Sequence, residues 1–476
     1  MSIWRIAWRN VTQRGLASAL TAFSMALGVA LVTSVLIIHG VVSRSFMDNS
    51  NLGYDLIGGA KGGKLQLVLN TTFYLSEPIE AIPYSFYQEF LSAEQQRTEL
   101  ARMNSDTLNE LTDGEFHSNI HFAIPVCLGD YLGPFRVVGT LPKFFELFPE
   151  DYGEGLKYKF RAGQNMRPWS EDHGYYEAVI GSVVAKRMGI EVGDQITPSH
   201  GGDPNDVHNE SPFTVVGILE HSGTPNDRAV FINMEGFYLM DGHAKIDPED
   251  PSMTAPTGEG GIHRAPLQLK QREITAVLIR SNGAIDSRIL NRRINKGTVA
   301  QAARPIMEIT RLFELFVYPI QSLLLVLTFL ICIVSGISVL VSIYNSMNDR
   351  RREIGVMRAL GARRRTVMGV ILLESIILSV GGGLAGWLGG HLILAAASPA
   401  IEERTGVAIG PFDLAPLPRT LEVKVPEVII ESALGGLLSL ELVIIPALLL
   451  LAVIVGFLPA YTAYRTDVAE ALSNSP

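Results

Sequence analysis

Cysteine is nearly absent from this chain: Cys127 and Cys332 are the only two in 476 residues. Such a pair cannot build a disulfide framework, and no C-x-x-C is present to bind a metal or run a redox cycle. Charge is also scarce. Asp, Glu, Lys and Arg make up 18% of the residues, against about a quarter in an ordinary soluble protein. The formal net charge is −9, which argues against a phosphate-binding surface and so against a nucleic-acid partner. Hydrolase signatures are missing too, since neither a G-x-S-x-G elbow nor an H-E-x-x-H helix occurs. Nothing in these motifs points to an enzyme, and they assign the chain no cofactor and no metal.

What the chain has instead is apolar residues, 47% of the total with a mean hydropathy of +0.23, gathered in blocks. Residues 15–43 and 315–348 contain no Asp, Glu, Lys or Arg, 366–401 contain only Glu374, and 442–464 contain none. A helix needs about 20 apolar residues to cross the hydrocarbon core. Four transmembrane helices are therefore expected, at 15–43, 315–347, 366–399 and 441–464. The first block is far longer than the roughly 7–15 apolar residues of a signal-peptide core, so it is read as an uncleaved span.

Arginine placement sets the orientation. Arg5, Arg9 and Arg14 precede the first span. Arg350, Arg351, Arg352, Arg358, Arg363, Arg364 and Arg365 fall between the second and third, and Arg465 follows the fourth. The positive-inside rule puts residues 1–14, the loop 348–365 and the tail 465–476 in the cytoplasm. The segment 44–314, with 25 Lys+Arg against 36 Asp+Glu, and the loop 400–440 then lie outside. This topology separates Cys127, outside, from Cys332, within the bilayer. Within 1–14, Trp4, Ala7, Trp8 and Val11 recur at helical spacing, the pattern of an interfacial helix with Trp at headgroup level.

The outer segment mixes strand-like and helical patterns. Strands are expected at 135–138, 179–184, 213–219 and 229–233, and a helix at 84–111. Near its end, 274–280, 285–294 and 298–303 read as a β-α-β unit. Residues 146–272 form a β-rich piece inserted between 44–145 and 273–314. The fold class is thus an α-helical membrane protein with four transmembrane helices and a large α+β extracytoplasmic domain between helices one and two.

Several residues invite a chemical reading. Gly58 to Lys64 match G-x-x-x-x-G-K, but Leu65 stands where a phosphate-binding loop needs Ser or Thr for Mg²⁺. A glycine-permitted turn between two strands is the better expectation. Eight of the ten histidines lie outside: His117, His121, His173, His200, His208, His221, His243 and His263. With His117 and His121 at i, i+4 but no third ligand at a recognisable spacing, solvated loop histidines are expected and no metal site is assigned. An intramembrane carboxylate such as Glu374 is a functional candidate by default, but no second acidic residue in the spans forms a relay, so a buried hydrogen bond or ion pair is expected. Gly382, Gly386 and Gly390 recur every four residues, a spacing that lets helix backbones approach closely.

The most informative stretch is 344–362. Beyond its arginines, Ile354, Met357 and Leu360 recur on one side, giving this short basic helix an apolar ridge on which another protein could dock. It closely resembles the signature N-x-M-x-x-R-x-R-E-I-G-x-x-R-A-x-G-A of MacB/LolC/FtsX-type ABC-transporter permeases. The matching residues are Asn345, Met347, Arg350, Arg352, Glu353, Ile354, Gly355, Arg358, Ala359, Gly361 and Ala362. Pro459, Ala460, Tyr461, Ala463, Val468, Ala471 and Leu472 are similar to that family's ending.

The resemblance implies a permease domain at 315–476. It makes the outer segment a MacB-like domain whose porter-like part is 44–145 with 273–314 and whose inserted subdomain is 146–272. It implies that Arg350, Glu353, Ile354, Gly355, Met357, Arg358, Ala359, Leu360, Gly361 and Ala362 contact an ATPase. The implied partners are two copies of a separate cytoplasmic ABC ATPase holding ATP and Mg, a second permease copy or paralogue, an extracytoplasmic protein and membrane lipid. The expected work is export, extraction or mechanical action on the outer side of a bacterial inner membrane. The alternative is a signalling scaffold acting on an outer partner such as a cell-wall hydrolase. The resemblance does not name a substrate.

Overall fold

The computed structural model describes residues 2–49, 52–103, 111–146, 158–200, 207, 208, 210–250, 253, 264–349, 351–405, 409, 410, 413 and 444–465. The chain divides into two compact units, residues 1–44 with 314–476 and residues 45–313.

The chain opens with the short helix α1 (Ile3–Gln13), in which Ala7 is fully buried while Trp4 and Trp8 are exposed. The long helix α2 (Gly15–Asn49) follows. The outer unit then begins with β1 (Leu56–Gly59), α3 (Lys64–Phe73), β2 (Ile82–Pro83), α4 (Ser85–Gln88) and α5 (Ala93–Arg102). The single helix expected over 84–111 is thus two, and 104–110 lie outside the described residues. Ser92 enforces the break. Its hydroxyl accepts the Gln95 N–H at 3.2 Å while the Gln95 side chain accepts the Ser92 N–H at 2.9 Å, a capping box that starts α5 afresh.

Next come β3 (Ile120–Leu132), β4 (Phe135–Thr140), β5 (Phe160–Gly163), β6 (Glu177–Ile180), α6 (Ser182–Met188), β7 (Gln195–Ile196), β8 (Ser199–His200), β9 (Phe213–Leu219), β10 (Ala229–Asn233) and α7 (Met234–Tyr238). The unit closes with β11 (Glu273–Ile274), β12 (Ala276–Ser281), α8 (Ala284–Lys296), β13 (Gln301–Ala303) and α9 (Pro305–Leu312). One sheet takes the order β13-β1-β12-β3-β4-β10-β6-β9-β5, with β7 on β9 and β8 on β3. Strands β12 and β13 both pair antiparallel to β1 and flank it, so β12-α8-β13 is a split β-α-β unit. The segment 146–272 supplies β5 to β10 and joins the rest through the parallel β4–β10 ladder and the short antiparallel β3–β8 pairing, so the two parts share a single sheet. Every residue of β4, β6 and β10 is buried. Their near-continuous apolar runs, without alternation, reflect a sheet covered on both faces.

After a π turn (Phe313–Val317), the membrane unit resumes with α10 (Tyr318–Asp349), α11 (Arg351–Ala359), α12 (Arg364–Thr405) and α13 (Ile444–Arg465). Among the described residues three helical stretches are long and apolar enough to cross a membrane: Gly15–Ser43, Pro305–Met347 and Arg364–Glu402. Where a fourth span was expected at 441–464, α13 carries a shorter apolar stretch, Pro446–Thr462, and the expected start lies outside the described residues. The third helix runs beyond the expected end at 399, carrying Pro399 inside it to Thr405. Most of the loop expected at 400–440 and all of the tail beyond 465 fall outside the described residues.

Candidate functional site

Helix α11 ends in a structure its sequence encodes. Gly361 has φ +101°, the Gly361 N–H donates to the Arg358 carbonyl, and the Ala362 N–H donates to the Met357 carbonyl at 3.0 Å. This is a Schellman C-cap, which glycine permits because no Cβ opposes the positive φ. It explains the spacing of Arg358, Ala359, Leu360, Gly361 and Ala362, and it reverses the chain into α12. The apolar residues of α11 divide between two directions. Ile354 is buried in a cluster with Met347, Val367 and Ile371, and Met357 packs against the same cluster. Leu360 is 84% exposed and Val356 44%. The continuous outward ridge expected from Ile354, Met357 and Leu360 is therefore corrected: Ile354 and Met357 hold α11 onto its own bundle, and the outward apolar edge is Val356 and Leu360. Glu353 and Ala359 are exposed, Gly355 is buried, Arg358 is half-buried, and Arg350 lies outside the described residues.

The glycines of α12 face α2. A Cβ on Gly382 would stand 2.7 Å from the Ala22 carbonyl oxygen, one on Gly390 would stand 3.0 Å from that of Ala30, and one on Gly386 would run into the Ala26 backbone. Ala22, Ala26 and Ala30 repeat the four-residue spacing on the partner helix, a small-residue seam on both sides. Residue numbers rise together along the seam, so α2 and α12 run parallel. The buried Glu374 lines a cavity of about 460 Å³ together with Ile6, Asn10, Glu353, Ile354 and Met357. Helix α13 is fastened nearby, where the Ser375 hydroxyl donates to the Ala452 carbonyl at 2.7 Å.

In the outer unit the glycine-rich loop connects strand β1 to helix α3, so the turn expected between two strands is corrected. Residues Lys64 to Phe73 form helix where a second strand was expected. Gly62 has φ +156°, and a Cβ on Gly59 would meet the Leu67 side chain, so the glycines serve a tight turn and close packing. Lys61 Nζ donates to the Gly297 carbonyl.

The histidines do not behave as one class. His121 is exposed on β3, so it shares no helix face with His117, which occupies a 3₁₀ turn. The His221 side chain is 67% exposed beside Asp227, and His263 lies outside the described residues. The reading of solvated loop histidines is corrected for His208 and His243, whose side chains are 6% and 7% exposed. With His200 they surround Asp130, which is fully buried. The approaches are 3.4 Å from Asp130 Oδ1 to His200 Nδ1, and 3.6 and 3.1 Å from Asp130 Oδ2 to His208 Nε2 and His243 Nε2. No sequence spacing marks this group, because its members come from four places. Asp130 sits where the β3–β4 register shifts, an irregularity that re-aims side chains. His200 is its cross-strand partner on β8, His208 follows the bridge of Val207 to Ser199, and His243 lies beyond α7 with its ring on Phe237. Cys127 is also buried, and that burial pushes its thiol up to about 12, against the opposing hydrogen bond to the Tyr238 hydroxyl.

Known proteins place this architecture. A family model described as MacB-like periplasmic core domain matches residues 18–255, and one described as FtsX-like permease C-terminal matches residues 325–468. The chain belongs to the MacB/FtsX-type ABC-transporter permease family. It is similar to an uncharacterized ABC transporter permease of Methanocaldococcus jannaschii, 26% identical over 243 residues that cover 50% of this chain and 53% of that protein. It is also similar to a macrolide export ATP-binding/permease protein of Nitrobacter winogradskyi, 25% identical over 62% of this chain and 38% of that protein. A pyoverdine export ATP-binding/permease protein of Pseudomonas syringae pv. tomato is 34% identical over 30% of this chain and 17% of that protein. The chain thus spans about half, or less, of the length of these curated relatives.

Proposed function

We propose that this chain is the transmembrane subunit of an ABC transporter, driven by a separate cytoplasmic ATPase that docks on α11. ATP and Mg²⁺ are held by that partner. Hydrolysis moves the helices and so performs export, extraction or mechanical work outside. The observation that carries this reading is the outward apolar edge of Val356 and Leu360 on an otherwise basic, Schellman-capped helix. An 84% exposed leucine on a rigid cytoplasmic helix gains by being covered. The parallel run of α2 and α12 agrees with two spans that both start on the cytoplasmic side. Helix α13, 22 residues long, extends about 33 Å at 1.5 Å per residue, enough to serve as a fourth span through about 30 Å of hydrocarbon. Both termini are then cytoplasmic, in a bacterial inner membrane. The assembly contains two permease copies, with two ATPase copies.

The test is the double variant Val356→Asp with Leu360→Asp. Removing a central apolar anchor from an interface costs about 2 kcal/mol or more. Leu360 is 84% exposed and Val356, which also borders the cavity beside Glu374, is 44% exposed, so insertion and folding should survive while co-purification of the ATPase is lost. A double variant that retains its ATPase and full ATP-coupled activity would overturn the docking assignment.

A further inference from the structure

We infer that Asp130, His200, His208 and His243 form a binding site for one divalent transition-metal ion of the zinc type in the outer unit. Zinc bound by four ligands at about 2.0–2.1 Å in tetrahedral geometry holds its donor atoms about 3.3–3.4 Å apart. From Asp130 Oδ2, His243 Nε2 lies 3.1 Å and His208 Nε2 3.6 Å away, those two nitrogens are 3.4 Å apart, and His200 Nδ1 lies 3.4 Å from the other carboxylate oxygen, Oδ1. All four ligand atoms fall within 4.8 Å of one another. Three imidazoles and one carboxylate are donors that suit zinc, with its borderline softness.

Two further observations separate a metal site from a plain ion-pair cluster. Neither oxygen of the fully buried Asp130 receives a hydrogen bond among the described residues. A carboxylate in that position normally collects donors. Arg136, also buried and electrostatically favourable to Asp130, directs its Nη2 at the Ser76 carbonyl and lies over the Tyr131 ring. The second observation is Glu210, whose Oε1 lies 3.2 Å from His208 Nδ1. A carboxylate that accepts the Nδ1–H of an imidazole fixes the tautomer whose lone pair is on Nε2, the atom facing the cluster, as in carboxylate–histidine–zinc arrangements. Glu210 is thus a positioning residue. The half-exposed His200 gives the ion its route in and out, while Asp130, His208 and His243 are dry. Four protein ligands leave no open position, so the ion ties β3, β8 and the segment after α7 together and does not activate water.

The experiment uses the full chain in lipid nanodiscs, stripped with a chelator and titrated with zinc against a chromophoric competitor. One zinc per chain is expected, and it should raise the unfolding temperature. Cobalt in its place should give the intense visible absorption of a four-coordinate ion. Asp130→Asn and His243→Gln should each abolish the stoichiometric site. Glu210→Gln should keep one zinc but weaken binding about 10–100-fold and shift the cobalt band. His221→Ala, remote from the cluster, should bind as the parent does. Chelated parent and variants should unfold at similar temperatures, which shows that the losses are not misfolding. A parent chain without stoichiometric zinc and without the cobalt band overturns the inference, leaving a histidine–carboxylate ion-pair cluster. Zinc retained equally by Asp130→Asn and His243→Gln overturns it too.

Discussion

Adding one methyl group to Gly386 should force α2 and α12 apart. The atoms its Cβ would meet are the backbone of Ala26, which cannot rotate away as a side chain would. At Gly382 the clash is with the Ala22 carbonyl oxygen at 2.7 Å and Met25 Cβ at 3.0 Å, and at Gly390 the nearest atom is the Ala30 oxygen at 3.0 Å. Relieving 2.7 Å to an ordinary contact needs roughly 0.7 Å of separation, and a gap of that size forfeits about a quarter to a half of each dispersion well along the seam. Overpacking of this kind costs about 1–3 kcal/mol. The expected order of damage is Gly386→Ala, then Gly382→Ala, then Gly390→Ala. Gly381 and Gly389 on the same helix have nothing within 4 Å of a Cβ. Alanine there should be neutral or should stabilise by up to about 1 kcal/mol through helix propensity. The measurement is SDS-driven unfolding of the intact chain in mixed micelles, followed by circular dichroism and by Trp387 fluorescence. If Gly386→Ala and Gly389→Ala shift the midpoint alike, the close seam is not what holds these helices together.

Two further expectations concern the outer unit. Burial pushes the Glu99 carboxyl up to about 7, against the opposing pull of the Tyr84 hydroxyl and Arg272. Between the ordinary value of 4.5 and about 7 the folded form binds more proton than the unfolded one. Stability should therefore fall as pH rises through that window, by about 1–3 kcal/mol, and level off above it. Thermal melts of the full chain across this range should show the slope, and Glu99→Gln should flatten it; an unchanged slope would remove Glu99 as the cause. Second, Arg272, 1% exposed, holds Glu235 through bonds of 2.6 and 2.7 Å. Glu235→Ala strands the guanidinium and should cost about 3 kcal/mol in chemical unfolding, and adding Arg272→Leu should recover part of that loss. No recovery in the double variant would mean that Arg272 packing, and not the unpaired charge, dominates.

The features legible in the sequence were local in the chain. Arg350 to Ala362 carry their cap and their pattern within one short segment, and Gly382, Gly386 and Gly390 show their spacing within one helix. Periodicity did not reveal what each face meets. Ile354, Met357 and Leu360 share helical spacing, yet the first two pack inward because Val367 and Ile371 return alongside after the glycine cap. Val183 and Val184 read as strand from their β-branching, but the chain turns helical after Gly181 and stops at Gly189 in the left-handed region. The histidine cluster was invisible for a different reason. Asp130 and His243 are 113 positions apart in the chain, and only the β3–β8 pairing and the turn after α7 bring them together.

Phe46, near the start of the outer unit, stacks on Phe73 at 4.8 Å and meets Phe313, at the unit's end, at 6.2 Å between ring centroids. Entry and exit of the chain are thereby clasped at a single point. A unit whose two ends meet is a cassette: cut at 45 and 313 it begins and ends at neighbouring positions, with its sheet intact between them. The gap left behind needs only a short linker.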